Sequence, residues 1–362
     1  MYRRIAVKIG SNVLSRADGT LDFTRMSALV DQVAELRRQG VEVIMISSGA
    51  VASGRGELRL DRHLDPVAAR QLYSAVGQAK LINRYYELFR DHGMACGQVL
   101  TTKENFASRR HYLNQKHCME VMLANGVTPI VNENDTVSVT ELMFTDNDEL
   151  SGLIATMMGM EALIILSNID GIYDGDPANP ASQVIPVIAP GTDASQYIQA
   201  SRSSLGRGGM GTKYRIASKV ASEGIAVIIA NGKRDNILPQ LVLTDAPTVP
   251  HTRFMPEPEP TSGVKKWIAH SDGFAKGTIH VNQGAADAIM ASQGASLLAV
   301  GVTDVEGDFE KDDIVRVVDP DGSLIALGRT YYGSDAARNN MGRTGLRPVI
   351  HADYLYTTKN HD

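Results

Sequence analysis

Two lysines lie where apolar runs meet glycines, and both positions suit phosphate chemistry. Lys8 lies near the end of the apolar run Ile5–Ile9, two residues before Gly10. An ammonium group at the carboxyl end of a strand can be directed at a phosphate. Lys213 follows a stretch with four glycines in six residues, 206–211, whose backbone N–H groups could cradle phosphate. The stretch is not a Walker A loop, because Thr212 precedes the lysine instead of following it.

Three polar segments could complete such a site. They are Ser47-Ser48-Gly49-Ala50, Asn132-Glu133-Asn134-Asp135 and Phe144-Thr145-Asp146-Asn147-Asp148. Small residues between a strand and a helix let backbone N–H groups approach an anion, although a tight structural turn uses the same residues. Asn and Asp are also ordinary turn and cap residues. Their density here favours a role in holding an amino group and ordering the lysines.

Together these residues predict phosphoryl transfer without a P-loop. The sequence offers no defensible Ser-His-Asp set, no metal-ligand cluster of His and Cys, and no paired Gly-x-Gly-x-x-Gly fingerprint. If the acceptor were a carboxylate, both reacting groups would be negative. Catalysis would then depend on cations and positioning, with little need for a strong general base.

The elements that must position these residues alternate between strands and helices over about the first 245 residues. The predicted strands are 5–9, 41–46, 97–101, 127–132, 162–167 and 225–230. Thr24 is predicted to cap one helix and Pro66 to occupy the first turn of a long one, while 212–223 forms the last. Strands separated by helices pair in parallel, and apolar runs such as 43–46 and 163–166 fit strands covered on both faces. We expect an α/β/α sandwich with a mainly parallel sheet.

A second domain follows a proline-rich stretch. The segments 247–250 and 256–260 are stiff and polar, which is typical of a linker. Short strands at 277–281, 313–318 and 323–327, and one helix near 284–293, then predict a small, mostly β domain. The expected divisions are a catalytic domain at 1–246, a linker at 247–262 and the β domain at 263–362.

Composition narrows the function classes. The net charge is −5 and no stretch approaches the roughly 18 apolar residues of a membrane span, so neither a nucleic-acid binder nor a membrane protein is expected. The two cysteines, Cys96 and Cys118, are too few for a disulfide scaffold. Both lie in mostly apolar stretches and are predicted to be buried thiols of a cytoplasmic protein.

The motifs resemble those of the amino acid kinase family, and the C-terminal part resembles a PUA domain. The motifs are Lys8-Ile-Gly-Ser, Ser47-Ser-Gly-Ala-Val, Val131-Asn-Glu-Asn-Asp135, Asp146-Asn-Asp148 and Gly208-Gly-Met-Gly-Thr-Lys213, with Gly294-Ala-Ser-Leu-Leu298 and Gly307-Asp-Phe-Glu-Lys-Asp-Asp313 in the tail. The branch of the family that phosphorylates glutamate is the most similar. The resemblance implies transfer of a phosphoryl group from ATP, with Mg²⁺, to the side-chain carboxylate of L-glutamate. That reaction is the first step of proline biosynthesis.

The resemblance also implies roles for single residues. Lys8 and Lys213 would neutralise charge on the transferring phosphoryl group, and Asp148 would orient them. Glutamate would be held by Ser48, Asp135 and Asn147, with Asn132 and Asn134 nearby. The nucleotide would be bordered by Lys8, Ser167, Asn168 and the loop formed by Arg207, Gly208, Gly209, Met210, Gly211, Thr212 and Lys213. Two positions depart from the family pattern: Ser167-Asn168 replaces the usual Thr-Asp, and Arg207 stands where a small residue or Thr is usual.

The family further implies proline as a feedback inhibitor, a homo-oligomer and transfer of the product to a glutamyl phosphate reductase. Three other interpretations stay open at this point: a kinase for another acid such as aspartate, acetylglutamate or a carbamate, an RNA-binding or RNA-modifying protein, and an inactive amino-acid sensor. From residue 263 onward there are ten Lys and Arg against thirteen Asp and Glu, a net charge of −3. Such a surface is poorly suited to a phosphate backbone, so RNA binding is not expected.

Overall fold

The structure is a computed structural model of the chain. It describes residues 1–58, 64–107, 109–138, 144, 147–192, 209–258, 268, 273, 275–291 and 295–357. The chain divides into two compact units: Met1–Thr102 with Asn114–Pro260, and Lys103–Leu113 with Thr261–Asp362.

An eight-stranded sheet forms the centre of the first unit. Its strands are β1 (Arg4–Ile9), β2 (Glu42–Ser47), β3 (Ala95–Thr101), β4 (Val127–Glu133), β5 (Ala162–Ser167), β6 (Val187–Ile188), β7 (Ala226–Asn231) and β8 (His251–Phe254). Their spatial order is β3-β4-β2-β1-β5-β7-β8-β6. All neighbours pair in parallel except β7 and β8, which are antiparallel. Strands β1, β2, β5 and β7 are almost entirely buried, as strands with both faces covered must be. The predicted α/β sandwich with a mainly parallel sheet is confirmed.

The helices between these strands are α1 (Ser11–Leu14), α2 (Phe23–Arg38), α3 (Ala50–Glu57), α4 (Pro66–Asp91), α5 (Lys103–Ala107), α6 (Arg109–Ala124), α7 (Asn147–Met158), α8 (Met210–Ser222) and α9 (Ile237–Leu243). Helix α5 and residues 109–113 of α6 belong to the second unit. Pro66 begins α4 as predicted, with the Asp65 carboxylate accepting hydrogen bonds from two N–H groups of the first turn. The predicted cap of α2 was wrong. Asp22 caps it by accepting from the backbone N–H of Arg25, because an N-cap side chain bonds to an N–H two or three residues ahead.

Helices α3 and α4 approach each other through glycines. A Cβ atom added at Gly77 would lie 1.8 Å from the carbonyl oxygen of Ala50, and one at Gly54 would lie 1.8 Å from that of Tyr73. Gly49, which precedes α3, has a φ of 108°, a conformation that favours glycine. The position of α3, which follows the Ser47-Ser48 segment, therefore depends on contacts that only glycine permits.

Replacing Gly77 with alanine should lower the free energy of unfolding by about 3 kcal/mol, because overpacking outweighs the gain of about 1 kcal/mol in helix propensity. Gly56→Ala is the matched control, since a Cβ there meets no atom within 4 Å. It should leave stability unchanged or raise it. Urea unfolding of both variants measures the difference, and equal stabilities would contradict the close approach.

Strand β8 lies within the segment 247–262 that the sequence predicts to be a linker. Its residues alternate in burial, with Thr252 and Phe254 at 0% and 2% exposure. The Thr252 hydroxyl accepts from the N–H of Ile172 and donates to the carbonyl of Ile185. The sequence did not predict this strand, because four alternating residues are a weaker pattern than the prolines on both sides, which indicate a linker.

The second unit contains a five-stranded sheet in the order β10-β9-β11-β12-β13. The strands are β9 (Gly277–Val281), β10 (Val302–Gly307), β11 (Ile314–Val318), β12 (Leu324–Arg329) and β13 (Leu355–Thr357), and α10 (Gln283–Ala291) and α11 (Ser334–Asn340) are described helices in the same part of the chain. Only β9 and β11 pair in parallel among these strands. The predicted mostly β domain is confirmed for the described residues.

Two further expectations concern cysteines and membranes. Cys96 is half-buried, and burial raises the pKa of its thiol to about 11. The prediction for Cys118 was wrong, because it lies on the exposed side of α6 while its neighbour Met119 is buried.

None of the helices in the described part of the chain has the length and apolar composition needed to cross a bilayer.

Candidate active site

The carboxyl ends of the central strands bring the polar segments to one edge of the first unit's sheet. In the strand register, Ile9 is opposite Ser47 on one side and Leu166 on the other. Lys8, Ser48, Asn132 and Ser167 therefore reach the same edge from four adjacent strands. They line a cavity of about 1090 Å³, which also receives residues from α4, α7 and α8.

A buried carboxylate joins the two predicted lysines. Asp148 Oδ1 lies 2.5 Å from Lys8 Nζ, and Asp148 Oδ2 lies 3.0 Å from Lys213 Nζ. Asp148 is 0% exposed, while the lysines are 5% and 8% exposed and line the cavity. Burial by itself would raise the pKa of Asp148, but the two ammonium groups outweigh it and hold the pKa below its usual value. The cluster carries one net positive charge, which suits an anion in the cavity.

An amide network continues the cavity wall from this cluster. Asn147 Nδ2 donates to Ser48 Oγ at 2.9 Å, to the Ser47 carbonyl at 3.2 Å and to Asn132 Oδ1 at 3.3 Å. Asn132 in turn donates to Gln78 Oε1 at 2.9 Å. These hydrogen bonds fix the side-chain amides of Asn132 and Asn147, so their donor and acceptor atoms have defined directions, as a site for a polar ligand requires.

The third part of the wall is acidic. Arg70 from α4 donates from Nε to Asp135 Oδ1 at 2.7 Å, and its Nη2 donates to Asp135 Oδ1 and, at 3.0 Å, to Glu133 Oε2. Ser74 donates to Asp135 Oδ2 at 3.3 Å, and the N–H of Phe144 donates to Glu133 Oε1 at 3.0 Å. Burial and the neighbouring Asp135 raise the pKa of Glu133 to about 6, against the lowering effect of Phe144 and Arg70.

The opposite wall includes Gly10, Ser167, Asn168, Gly209 and Met210, together with bulkier residues such as Ile172 and Tyr173. A Cβ at Gly10 would lie 3.0 Å from the Leu166 carbonyl and 3.6 Å from Lys8 Nζ, so the strand end lies close to the ammonium group. Gly209 precedes α8, and a Cβ there would meet no atom within 4 Å. Backbone N–H groups at this open helix start can face a phosphate.

Two family models match parts of this chain. The family model described as "Amino acid kinase family" matches residues 3–231, and the model described as "PUA domain" matches residues 277–348. The chain belongs to the amino acid kinase family.

Two curated relatives of this amino acid kinase are similar over nearly their whole lengths. A glutamate 5-kinase from Bacteroides thetaiotaomicron is 67% identical over 355 residues, covering 98% of both chains. A glutamate 5-kinase from Chlorobaculum tepidum is 47% identical over 363 residues, again covering 98% of both. Among solved structures, a carbamate kinase from Giardia lamblia bound to AMP-PNP superposes with a TM-score of 0.52 at 12% identity, over 71% of this chain and 99% of that one. The last similarity concerns the fold alone.

Most of the site residues predicted for this amino acid kinase lie together. The cavity wall includes Lys8, Ser48, Asn132, Asp135, Asn147, Asp148, Ser167, Asn168, Gly209, Met210 and Lys213. Three others fall on adjoining turns and not on the described wall: Asn134, whose Oδ1 accepts from Thr136 at 2.5 Å, and Gly211 and Thr212 in the first turn of α8. Arg207 and Gly208 lie outside the described residues, as does Asp146 of the third polar segment.

Two residues of the acidic part of the wall, Arg70 and Glu133, were not singled out from the amino acid kinase sequence. Arg70 comes from a helix more than sixty residues before its carboxylate partners, and no local pattern indicates that its side chain faces them. Glu133 belongs to a polar segment that the sequence did emphasise. Its position at the end of a buried strand was the available signal.

Proposed function

We propose that this chain transfers the γ-phosphoryl group of ATP to the side-chain carboxylate of L-glutamate, forming γ-glutamyl phosphate and ADP, as the first step of proline biosynthesis. The observation that carries the proposal is the Lys8–Asp148–Lys213 cluster, set in one cavity with an acidic cluster. The names of the two relatives support the choice of glutamate. We propose that the first unit is the catalytic part and that the β domain is structural or regulatory.

The two ends of the cavity differ in charge, and this difference orients an amino acid. The lysine cluster attracts the side-chain carboxylate, while Asp135 accepts hydrogen bonds from the α-ammonium group. Ser48, Asn132 and Asn147 lie between these ends and hold the remaining polar atoms of the substrate. An acid without an amino group would leave the net negative charge of the acidic end uncompensated, and this mismatch disfavours it.

The phosphoryl transfer follows from these positions. A glutamate side-chain oxygen attacks the γ-phosphorus in line with the bond to the β-phosphate oxygen, which breaks as ADP leaves. The carboxylate is ionised at neutral pH, so no general base is needed. Lys8 and Lys213 offset the repulsion between the two anions and stabilise the charge on the transferring oxygens. Asp148 fixes the direction of both ammonium groups.

The opposite wall is proposed to hold ATP. Gly10, Ser167, Asn168 and Gly209 leave room for phosphates beside Lys8, and the open start of α8 offers N–H donors. Both oxygens of Asp148 face ammonium groups, and the positive charge of these groups disfavours a further cation at this carboxylate. This arrangement fits a Mg²⁺ ion held mainly by the nucleotide phosphates and water, where it would neutralise phosphate charge.

Trapping the acyl phosphate tests the proposal. With ATP, Mg²⁺ and hydroxylamine, we expect a hydroxamate and ADP from L-glutamate, and neither from aspartate, acetylglutamate or a carbamate. Hydroxamate from a different acid would keep the phosphoryl chemistry and overturn the choice of substrate. No product with any acceptor would favour an inactive sensor or an RNA-binding protein.

Other properties implied by the family remain proposals. We propose that the chain forms a homo-oligomer, is inhibited by proline, passes its product to glutamyl phosphate reductase and acts in the cytoplasm, where ATP is available. Light scattering tests the first, and glutamate kinetics with added proline test the second. A monomer mass, or rates unchanged by proline, would remove the corresponding proposal.

A further inference from the structure

The acidic end of the cavity holds two carboxylates and one arginine. Arg70 binds both Glu133 and Asp135, so the ionised cluster carries one net negative charge. Glu133 and Asp135 are 4% and 7% exposed, and Arg70 also lines the cavity. Two buried carboxylates this close repel each other unless a cation joins them. The arginine reduces this repulsion without removing the excess negative charge.

Both oxygens of Glu133 are held in place. Oε1 accepts from the Phe144 N–H at 3.0 Å, and Oε2 accepts from Arg70 at 3.0 Å. Asp135 is fixed in the same way by Arg70 and Ser74. Each carboxylate oxygen has two lone pairs, so a carboxylate that already accepts these bonds can accept another from a ligand. The pair is therefore organised before any ligand arrives.

We propose that Glu133 joins Asp135 as an acceptor for the α-ammonium group of the substrate, and that Arg70 is the positioning residue that holds both carboxylates. The inference rests on the proposed function and deepens it, because it assigns selection of a free amino group to a pair of carboxylates. The carboxylate pair requires a free α-amino group on the substrate, whatever the length of the side chain. The lysine cluster at the other end is not involved, so the effect concerns binding more than the chemical step.

Glutarate is the probe that isolates the ammonium group, because it is glutamate without the amine. For Glu133→Gln we expect the KM for glutamate at pH 7.5 to rise about tenfold, as the loss of one hydrogen bond to a charged group predicts, with kcat changed less than twofold. The Ki of glutarate as a competitive inhibitor should stay unchanged or fall, since a repelling charge has been removed. A merely structural role would raise both constants together.

The pH dependence separates the roles of the two residues. The groups facing Glu133 are Arg70 from α4, Asp135, the hydroxyl of Ser138 and the N–H of Phe144. With a pKa of about 6, Glu133 loses its charge as pH falls, so the wild-type KM should rise below pH 6. Arg70→Gln leaves the carboxylates without their cation and raises the pKa of Glu133 further. Its defect should be large near pH 7 and shrink towards pH 9, whereas that of Glu133→Gln should not shrink.

Controls come from the same helix and from the conservative substitution. Arg84→Gln makes the same change on α4, where Arg84 pairs with Glu87 and not with the cavity carboxylates, and it should leave the KM unchanged. Arg70→Lys should restore part of the affinity, since it keeps the charge but loses the two-point contact. Thermal unfolding of each variant separates misfolding from altered binding.

Two outcomes overturn the inference in distinguishable ways. If the wild type forms glutamyl hydroxamate but Glu133→Gln leaves the KM unchanged, or moves the glutarate constant equally, the inference fails and the proposed function stands. If the wild type instead phosphorylates an acid without an amino group, both fail together. A wild type specific for a different α-amino acid keeps the inference, and the same comparison then uses the deaminated form of that acid.

Discussion

Lys213→Ala should lower kcat by about 10²–10³-fold, the range typical of enzymes that lose one preorganised hydrogen-bond donor to the transition state. The KM for glutamate should change less than threefold, because Ser48, Asp135 and Asn147 are proposed to hold the amino acid and Lys8 remains beside its side-chain carboxylate. The ammonium group lies 3.0 Å from Asp148 and lines the cavity, so its loss removes a charge that the transferring phosphoryl group would meet. Steady-state kinetics with ATP and glutamate give both constants.

Lys219→Ala is the matched control for this variant, since it makes the same change near the end of the same helix, away from the described cavity wall. Its kcat should equal that of the wild type. Turnover of Lys213→Ala within threefold of the wild type would remove the lysine from its proposed role. A large rise in the KM with an unchanged kcat would instead assign Lys213 to ground-state binding.

The sequence predicted the part of the site that local patterns encode. Parallel strands end at a common edge, so polar residues that follow strand signals must meet there, as Lys8, Ser48, Asn132 and Asp148 do. Short apolar segments also predicted strands β5, at 162–167, and β9, at 277–281, with the bounds that the structure shows. These features depend on neighbours in the chain, which a single sequence displays directly.

The features that the sequence did not predict depend on distant partners. Arg70 faces Glu133 and Asp135 only because α4 packs across the strand ends, and no periodicity in α4 records that contact. The burial of Thr252 in β8 depends on Ile172 and Ile185, far along the chain. Cys118 shows the converse error, because apolar neighbours in sequence do not decide which side of a helix is covered.

The separation of charge within the cavity explains why the lysine cluster contains a carboxylate at all. Two buried ammonium groups without a counterion would repel each other. Asp148 lies between the two ammonium groups, offsets this repulsion and leaves one net positive charge for the reacting anions. At the other end, Arg70 reduces the repulsion between two carboxylates in the same way, and the net charge there is negative. Each cluster therefore keeps one net charge while its like charges are held apart.

Asp148→Asn should lower the free energy of unfolding at pH 7 by about 3–5 kcal/mol, because removing one partner leaves buried charges unpaired. It should also lower kcat more than tenfold, since the lysines lose their common orientation.

In the wild type the pKa of Asp148 is held below its usual value, so the unfolded chain binds the extra proton first as pH falls. The stability from the ionised carboxylate is therefore present above about pH 4 and is lost as pH falls through the folded-state pKa. The difference between wild type and Asp148→Asn should accordingly shrink in acid, which urea unfolding at pH 7 and pH 3 measures. Asp245→Asn, at an exposed position, is the control and should match the wild type at both values. Adding Lys213→Met to Asp148→Asn should recover part of the stability without the activity, and a difference that stays constant with pH would show that Asp148 is not ionised in the folded chain.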